Sequence, residues 1–395
     1  MFMSSEHTNT KRSSNYDLLR IIAMVFVVYI HSQSAIHPFQ QGFLTVVGIA
    51  VPVFLMISGA FILSNETTLS NLKGYYIKRF KSIVFPFLIF TVAYIISSAC
   101  CSLYYQECST FGEAINYEFN YIYLHGKTTT GGQLWFMYII IPFYIVAPLI
   151  ILFRKKCKIG YMILTPILLV LSVLNYHLGF VAFPWYLNFI SYLPVIMFGD
   201  VLKNFVKAFK YDWIIYLILY LIVVSLQIYL KQSIVFGGNR NEFAITLFNE
   251  GSRTFGLRDP NTLEVMNITC GSLVFLIFKK IKINIDLSYL ASLSYYIYLI
   301  HCFFNGFTEI VFNSILKIST ETGIFIILAG TLNLIISFFL AIPVMFVFTK
   351  KMAENKHEKN SKILQLTFRV EAQIGNDAIC DKPTHSDKTI VKYNK

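Results

Sequence analysis

Long apolar runs cover most of the chain, and short polar segments separate them. Runs near twenty apolar residues cross lipid as helices, because a helix bonds its backbone polar groups internally. The pattern predicts a polytopic, all-α membrane bundle of about ten transmembrane helices. The predicted spans cover roughly 18–36, 43–63, 83–103, 133–153, 159–178, 185–202, 211–230, 263–278, 287–312 and 323–348.

The same pattern divides the chain into three regions. The middle region, 17–352, is the membrane domain. Residues 1–16 are polar and are expected to be disordered, and residues 353–395 are expected to form a charged cytoplasmic tail without a domain of its own. The first apolar run resembles a signal peptide, but it is long and lacks a small-residue cleavage site. It is therefore interpreted as a retained span.

Composition supports a membrane protein and excludes several soluble classes. Apolar residues make up 56% of the chain and charged residues only 14%, and the mean hydropathy is +0.60. A soluble domain carries about 25% charged residues. So few charges cannot cover a water-facing surface, which excludes a soluble enzyme, a disordered protein and a coiled coil.

Lys and Arg residues give the chain a formal net charge of +12 and concentrate on one side of the predicted bundle. With about ten spans, both termini lie on that side. Because short cytoplasmic loops are enriched in Lys and Arg, both termini are predicted to be cytoplasmic. This distribution explains the basic charge without a nucleic-acid partner. The basic loop residues on that side include Lys73, Lys78, Arg79, Lys81, Arg154, Lys155, Lys156, Lys158, Lys203, Lys207, Lys210, Lys279, Lys280 and Lys282.

Two outer loops, 104–132 and 231–262, are longer than the others and polar. Long loops in compact proteins are often functional. The seven cysteines show neither a CxxC pair nor zinc-site spacing, so no metal ion is expected. Cys108 could pair with Cys100 or Cys101, or all three could be isolated thiols.

Charged and titratable residues on the first span are candidates for function, because charge inside a membrane is costly. Asp17 and Arg20 lie three residues apart and can pair on one helix face. His31 follows Arg20 by about 16 Å of helix, close to three turns, so the two side chains face the same way. The alternatives are a snorkelling anchor for Arg20 and a polar helix contact for His31.

Five segments, in order along the chain, resemble the acyltransferase-3 family of integral membrane O-acyltransferases. In NYDLLRIIAMVFVVYIH (15–31), Arg20 and His31 match the family's basic residue and histidine with ten residues between them. The resemblance extends from about residue 15 to residue 348. The later segments are VPVFLMISG at 51–59, GQLWFMY at 132–138 with Pro148 beyond it, Phe198 with Gly199, and LSYYIYLIH at 293–301.

One departure from the family affects its cytoplasmic loop after the second span. The family has Arg-x-x-Arg before Ile-x-x-Pro, whereas this chain has KRFKSIVFP over 78–86. Arg79 matches the first arginine, but Ser82 replaces the second, so bidentate geometry there is lost. Lys78, Arg79 and Lys81 still cluster and are expected to bind phosphate. The alternative is an ordinary positive loop.

The resemblance implies an enzyme that transfers an acyl group, expected to be acetyl, from cytosolic acetyl-CoA to a glycan hydroxyl. The expected acceptor is a surface exopolysaccharide or a lipid-linked glycan, and the expected location is the cell membrane of a bacterium, as a multi-pass protein. Arg20, Lys78, Arg79 and Lys81 would bind the CoA phosphates. His31 would accept the proton of the hydroxyl as general base. No Gly-x-Ser-x-Gly elbow is present, so direct transfer is expected.

Other polar residues are candidates to line the cavity or contact substrate. Gln133 stands where many family members have a histidine, which puts a polar role at that position in doubt. His301 could instead be a packing histidine, and Trp135 an interfacial anchor. Asp200 is interpreted as the solvated end of the sixth span. The cavity and substrate candidates are Asp17, Ser58, Trp135, Ser294, Tyr298 and His301.

Two other functions remain open from the sequence. A polysaccharide exporter or lipid-linked sugar transporter would also suit about ten spans and aromatic loops, but it has no need of the spacing between Arg20 and His31. A sensing or anchoring domain with degenerate chemistry would fit the departures at Ser82 and Gln133. Because no second soluble domain is evident, the stand-alone surface-polysaccharide branch of the family is expected.

Overall fold

The computed structural model describes residues 13–32, 37–207, 209, 211–236 and 265–349. Its contacts divide the chain into a unit Met1–Met345, which contains all predicted site residues, and a unit Phe346–Lys395. Every regular element among the described residues is a helix. The predicted tail 353–395 and most of the segment 1–16 lie outside the described residues.

The long apolar segments form helices because lipid offers no hydrogen-bond partner to the backbone N–H and carbonyl groups. The α-helices are α1 (Ser14–Ile30), α2 (Pro38–Val47), α3 (Ala50–Ile62), α4 (Thr67–Ser70), α5 (Leu72–Arg79), α6 (Phe85–Tyr104), α7 (Phe111–His125), α8 (Met137–Lys156), α9 (Lys158–Leu178), α10 (Phe189–Asn204), α11 (Asp212–Phe236), α12 (Val265–Lys280), α13 (Ser288–Ile300), α14 (Asn305–Glu309) and α15 (Phe325–Thr349). Short 3₁₀ turns occupy Gly132–Phe136, Trp185–Leu187 and His301–Phe304, and π-turns occupy Phe80–Val84 and Ile310–Ile315.

Seven helical stretches of the described chain are long and apolar enough to cross a membrane. Their bounds agree with the hydropathy pattern: Lys158–Leu178 corresponds to the predicted 159–178, for example. Helices α1 and α12 correspond to two further predicted spans, with 17 and 16 residues. The all-α polytopic bundle is confirmed, while the count of about ten spans and the location of the termini stay predictions.

The predicted ninth span, 287–312, is not one continuous helix. Helix α13 ends at Ile300, and a 3₁₀ turn, the short α14 and a π-turn follow it. Breaks at membrane depth are tolerated where protein groups bond the freed backbone. The hydropathy pattern predicts a long span here but not these changes of helix type, because hydropathy reports burial in lipid and not backbone bonding.

Helices α3 and α10 cross at two glycines. A Cβ atom on Gly59 would lie 1.7 Å from the carbonyl oxygen of Ile196, and one on Gly199 would lie 2.1 Å from that of Met56. Both obstructing atoms are backbone, so no side-chain rotation could relieve the contact. Small residues permit such close approach, and van der Waals contact of this kind drives helix association in lipid.

A proline in α8 frees a backbone carbonyl that another helix then binds. Pro148 has no N–H, so the carbonyl of Tyr144 lacks its partner one turn later. The Tyr75 hydroxyl donates to this carbonyl at 3.2 Å, and the Tyr76 hydroxyl donates to that of Ile145 at 2.9 Å. These bonds tie the polar helix α5 to the middle of α8.

Asp200, on the last turns of α10, is fully buried rather than solvated. Arg154 Nε donates to its carboxylate at 2.7 Å, and Asn204 Nδ2 donates at 2.6 Å. A buried carboxylate is costly unless it is paired and hydrogen-bonded. The interpretation of Asp200 as a solvated helix end is therefore wrong, and its ion pair joins α8 to α10.

The predicted outer loop 104–132 contains helix α7, which is anchored from both sides. Glu118 on α7 is fully buried and accepts hydrogen bonds from the backbone N–H and the hydroxyl of Thr129, at 3.1 and 2.6 Å. Trp185 Nε1 donates to the carbonyl of Tyr123 at 2.8 Å. These bonds hold the segment that leads into α8.

The six cysteines within the described ranges are free thiols, including Cys100, Cys101 and Cys108. Of the two alternatives for Cys100, Cys101 and Cys108, the structure therefore supports isolated thiols. The second predicted outer loop, 231–262, lies outside the described residues from 237 onward.

We predict that Gly199→Ala destabilises the protein, because the added methyl group meets backbone atoms of α3. Overpacking of a well-packed contact costs about 1–3 kcal/mol. The measurement is the thermal unfolding midpoint of the purified protein in detergent.

The matched control is Gly112→Ala on α7, where an added Cβ atom has no neighbour within 4 Å. We expect this variant to keep the midpoint of the natural protein. An equal midpoint for both variants would contradict the tight crossing of α3 and α10.

Candidate active site

His31 lies at the C-terminal end of α1, where the helix stops. Its backbone N–H still bonds the carbonyl of Val27 at 3.2 Å, and Ser32 Oγ donates to the carbonyl of Val28 at 2.8 Å. The His31 side chain is half-buried and has no hydrogen-bond partner among the described residues. Its ring lies 5.2 Å, centroid to centroid, from that of His301.

His301 begins the 3₁₀ turn that follows α13, and its fully buried side chain bonds the end of that helix. Its Nδ1 atom lies 2.9 Å from the carbonyl oxygen of Tyr298 and 3.3 Å from that of Ile297. Carbonyl oxygens only accept, so Nδ1 carries the proton in neutral His301 and Nε2 keeps its lone pair. The hydroxyl of Tyr94 bonds a third carbonyl, that of Leu299, at 2.9 Å.

Cys302 adds a thiol to the histidine pair. Its Sγ atom lies 3.3 Å from Nε2 of His301, close enough for the thiol to donate a weak hydrogen bond. One ligand atom from each of His31, His301 and Cys302 lies within 4.8 Å of the other two. Imidazole and thiolate are ligands that zinc prefers, so these three residues could hold a metal ion.

Tyr298 and the 3₁₀ turn Gly132–Phe136 form the neighbouring wall of the site. The Tyr298 hydroxyl donates to the carbonyl of Gln133, and its ring lies 6.2 Å from that of His301 and 5.9 Å from that of Phe136. Trp135, half-buried on the same turn, packs at 5.9 Å on Tyr192. The structure thus brings Tyr298 and His301 together with His31.

Two predicted serines bond their own helices instead. Ser58 Oγ donates to the carbonyl of Phe54 at 2.9 Å, and Ser294 Oγ donates to that of Leu290 at 3.4 Å. Bonds of this kind are common for serine in helices and use up its single proton. Neither hydroxyl is therefore available as a donor unless it rotates.

The three residues of the predicted basic cluster differ in how far their side chains are exposed. Lys78 and Lys81 are exposed, whereas the Arg79 side chain turns inward over two tyrosine rings. Its guanidinium carbon lies 4.9 Å from the ring centre of Tyr144 and 5.4 Å from that of Tyr75. The buried Nε of Arg79 has no hydrogen-bond partner among the described residues. Cation–π stacking fixes the guanidinium while its Nε–H stays available.

Arg20 and Asp17 lie at the start of α1. Arg20 is half-buried and within electrostatic range of Tyr144, the ring that Arg79 also covers. Asp17 is 5% exposed. Eleven residues, or about 16 Å of helix, separate Arg20 from His31. The structure therefore has a cationic group near one end of α1 and an imidazole pair at the other.

This arrangement of arginine, membrane helix and paired imidazoles agrees with a comparison to known proteins. The model of the acyltransferase-3 family, described as an acyltransferase domain, matches residues 13–350. The chain belongs to this family. It is therefore a membrane acyltransferase. No curated protein and no solved structure matches the chain.

Sequence reasoning did not identify some residues of this acyltransferase site. Tyr94 and Tyr144 read as ordinary aromatic residues of long apolar runs, and only the folded chain shows what they bond or carry. Cys302 had one signal in the sequence, its position directly after His301. Sequence reasoning left the role of Gln133 in doubt. In the structure its side chain is buried in the wall of the site.

We predict that the acyltransferase contains no stoichiometric metal ion, although three ligand atoms lie together. A metal on His31 would occupy the lone pair that a base needs. The measurement is the metal content of protein purified without chelators, by inductively coupled plasma mass spectrometry.

The matched variant is Cys302→Ser, which removes the softest ligand and keeps the size of the side chain. We expect the same low content for both proteins. One zinc per natural chain, lost in Cys302→Ser, would contradict the prediction and assign the cluster to a metal.

Proposed function

We propose that the protein moves an acyl group, most simply acetyl, from cytosolic acyl-CoA to a hydroxyl of a surface or lipid-linked glycan. The observation that carries this proposal is the state of His31. Its side chain is half-buried and without a hydrogen-bond partner in the described structure, and it lies beside a second imidazole that is fully buried. An accessible, uncommitted imidazole is suited to bind and deprotonate a hydroxyl.

The donor end of the site is assigned to Arg79 and Arg20. The 3′-phosphate and diphosphate of CoA are anionic and are recognised best by arginine, which donates several hydrogen bonds in one plane. Arg79 is stacked on Tyr144 and Tyr75 and keeps an unpartnered Nε, as a group awaiting an anion would. Lys78 and Lys81 are exposed nearby and would attract the anion at longer range.

Orientation in the membrane follows from the basic loops. The exposed residues Lys78, Lys81 and Lys155 lie at helix ends that the charge bias assigns to the cytoplasm. His31 follows the last residue of α1, whereas Arg20 lies in its second turn. A multi-pass protein in a bacterial cell membrane could thus take its donor from the cytosol and meet its acceptor near the outer face.

The proposed reaction is a direct transfer. The acceptor hydroxyl gives its proton to an imidazole nitrogen of His31 while its oxygen bonds the thioester carbonyl carbon. The carbon–sulfur bond of the tetrahedral intermediate then breaks, and the CoA sulfur takes the proton back from His31. The products are an ester and CoA thiol, and the imidazole returns to its neutral state.

His301 is proposed to position His31 rather than to touch the acceptor. It is fully buried, and its Nδ1 proton is committed to backbone carbonyls. Its ring centre lies 5.2 Å from that of His31, and its Nε2 lone pair, which the Cys302 thiol only weakly engages, can instead accept a hydrogen bond from His31 or from a bridging water and so orient the base. Trp135, half-buried on the neighbouring turn, offers a ring on which a sugar could stack.

We predict that His31→Gln abolishes acyl transfer. Glutamine keeps a polar side chain of similar length but cannot accept a proton at neutral pH, and general base catalysis contributes about 10²–10⁴-fold. The measurement uses membranes with radiolabelled acetyl-CoA on the cytoplasmic side and counts label on surface glycan.

His37→Gln is the matched control, because His37 lies at the N-terminus of α2 and bonds the backbone of Phe39 there. We expect it to transfer label at the natural rate. Equal transfer by His31→Gln and the natural protein would exclude His31 as the base. Glycan export without labelling would favour the transporter alternative.

We predict that Arg79→Leu weakens acyl-CoA binding about 10-fold or more, because charge-assisted hydrogen bonds contribute about 1.5–3 kcal/mol each. The measurement is the dissociation constant of acetyl-CoA by isothermal titration calorimetry in detergent. Arg154→Lys is not a suitable control, since Arg154 holds Asp200.

Lys73→Leu is a better control, because Lys73 is an exposed basic residue of the same helix, α5. We expect its dissociation constant to change less than threefold. Similar losses for both variants would mean that binding depends on the general charge of the loop and not on the stacked guanidinium.

A further inference from the structure

Gln133 is a buried amide whose polar atoms are unused. Its side chain is 1% exposed, and neither Oε1 nor Nε2 has a hydrogen-bond partner in the described structure. A buried unsatisfied amide destabilises a protein, and most buried polar groups are therefore paired. An amide left unpaired beside a reaction site suggests that its partner arrives with the substrate.

The backbone at Gln133 is held by residues that neighbour the imidazole pair. Its carbonyl accepts the hydroxyl of Tyr298, whose ring lies 6.2 Å from that of His301. The Gln133 side chain is directed at the Tyr94 hydroxyl, which donates its own proton to Leu299. Leu134, the next residue, packs in one apolar cluster with Tyr94 and Cys302. The amide therefore sits in the same wall as the residue that follows His301.

The turn before Gln133 is also anchored. The N–H of Gly131 bonds Thr128 Oγ1 at 2.8 Å, and the hydroxyls of Ser98 and Thr130 bond each other at 2.6 Å. These bonds restrict the backbone on the N-terminal side of Gln133. A donor fixed before the substrate arrives needs little reorganisation in the reaction, which is what makes such donors effective.

The other polar donors of this wall are already committed. The hydroxyl of Tyr298 bonds the Gln133 carbonyl, that of Tyr94 bonds Leu299, and Ser294 bonds Leu290. Nδ1 of His301 bonds two carbonyls. Among the donors considered for the described wall, the amide of Gln133 is the one that keeps its protons for a ligand.

We propose that the Gln133 amide donates a hydrogen bond to the carbonyl oxygen of the acyl thioester and stabilises the oxyanion formed during transfer. This inference rests on the proposed acyl transfer at His31. As the acceptor oxygen bonds the carbonyl carbon, the carbonyl electron pair moves onto oxygen, where the amide N–H bonds it. The pair returns when the carbon–sulfur bond breaks, and the amide neither gains nor loses a proton.

Gln40 offers a matched glutamine with a structural role. It is also fully buried, but its Nε2 atom donates to the carbonyls of Thr320 and Thr322 at 3.0 and 2.9 Å. Replacing Gln40 by Met removes two bonds and leaves two carbonyls unpaired. Replacing Gln133 by Met removes no bond in the described structure and removes an unpaired amide.

The first test compares stability and turnover of Gln133→Met and Gln40→Met. We expect Gln133→Met to keep or raise the unfolding midpoint and to lower kcat about 10²–10³-fold, the usual effect of losing an oxyanion donor. Its dissociation constant for acetyl-CoA should change less. Gln40→Met should show a lower midpoint with unchanged kcat. A lower midpoint with unchanged kcat for Gln133→Met would assign it a structural role and overturn the proposal.

The second test does not depend on the acceptor or on turnover. Acetyl-CoA labelled with ¹³C at the thioester carbonyl is bound to the full-length protein, and its carbonyl stretch is recorded by difference infrared spectroscopy. A hydrogen bond from Gln133 lowers this frequency, so Gln133→Met should return it toward the value in solution. Gln133→His, which restores an N–H donor, should recover part of the shift.

The two tests separate failure of this inference from failure of the proposed function. A carbonyl shift that Gln133→Met abolishes supports the inference even if no glycan offered accepts label. A natural protein that transfers label with no shift, or with a shift that Gln133→Met leaves unchanged, retains its function and overturns the inference. If acetyl-CoA does not bind at all, both are overturned.

Discussion

Inside lipid, a backbone carbonyl without an N–H partner must be bonded by another part of the protein, and this requirement organises the structure. Pro148 frees the carbonyl of Tyr144, and Tyr75 on α5 bonds it. Near the end of α13, the side chains of Tyr94 and His301 bond the carbonyls of three further residues. Bulk water is absent from the hydrocarbon core, so groups of the protein itself take these roles here. Each helix break therefore requires a polar side chain from elsewhere, and those side chains bring the site together.

The same bonds determine the chemical state of the site. His301 donates its Nδ1 proton to carbonyls because α13 ends there, so in the neutral ring Nε2 must keep its lone pair. Tyr75 is held at α8 by the carbonyl that Pro148 frees, and its ring then supports the guanidinium of Arg79. A structural requirement of the bilayer thus produces an oriented imidazole and a stacked arginine. Helix α1 joins the two, with Arg20 near one end and His31 at the other.

Buried polar groups in this protein fall into two kinds. Asp200, Glu118 and Gln40 are buried and bonded, and they join helices or anchor a loop. Both side-chain polar atoms of Gln133 and the Nε of Arg79 are buried and unbonded in the described structure, and these two residues lie at the candidate site; the hydroxyl of Tyr16 and Oε1 of Gln40 are buried and unbonded as well. An amide with neither polar atom paired costs more stability than one unpaired atom, so the position of Gln133 in the wall of the site is more consistent with ligand binding than with folding.

The all-α membrane class, most helix bounds, the family and the placement of Arg20 and His31 on one helix could be predicted from the sequence. These follow from local properties, because hydropathy and helical spacing depend on residues near one another in the chain. The folded chain was needed to show that the predicted span 287–312 changes helix type at His301 and that Asp200 is buried against Arg154. Each of these depends on a partner or carbonyl whose availability is set by folding. The close crossing at Gly59 and Gly199 likewise depends on two segments far apart in the chain, whose contact no local pattern specifies.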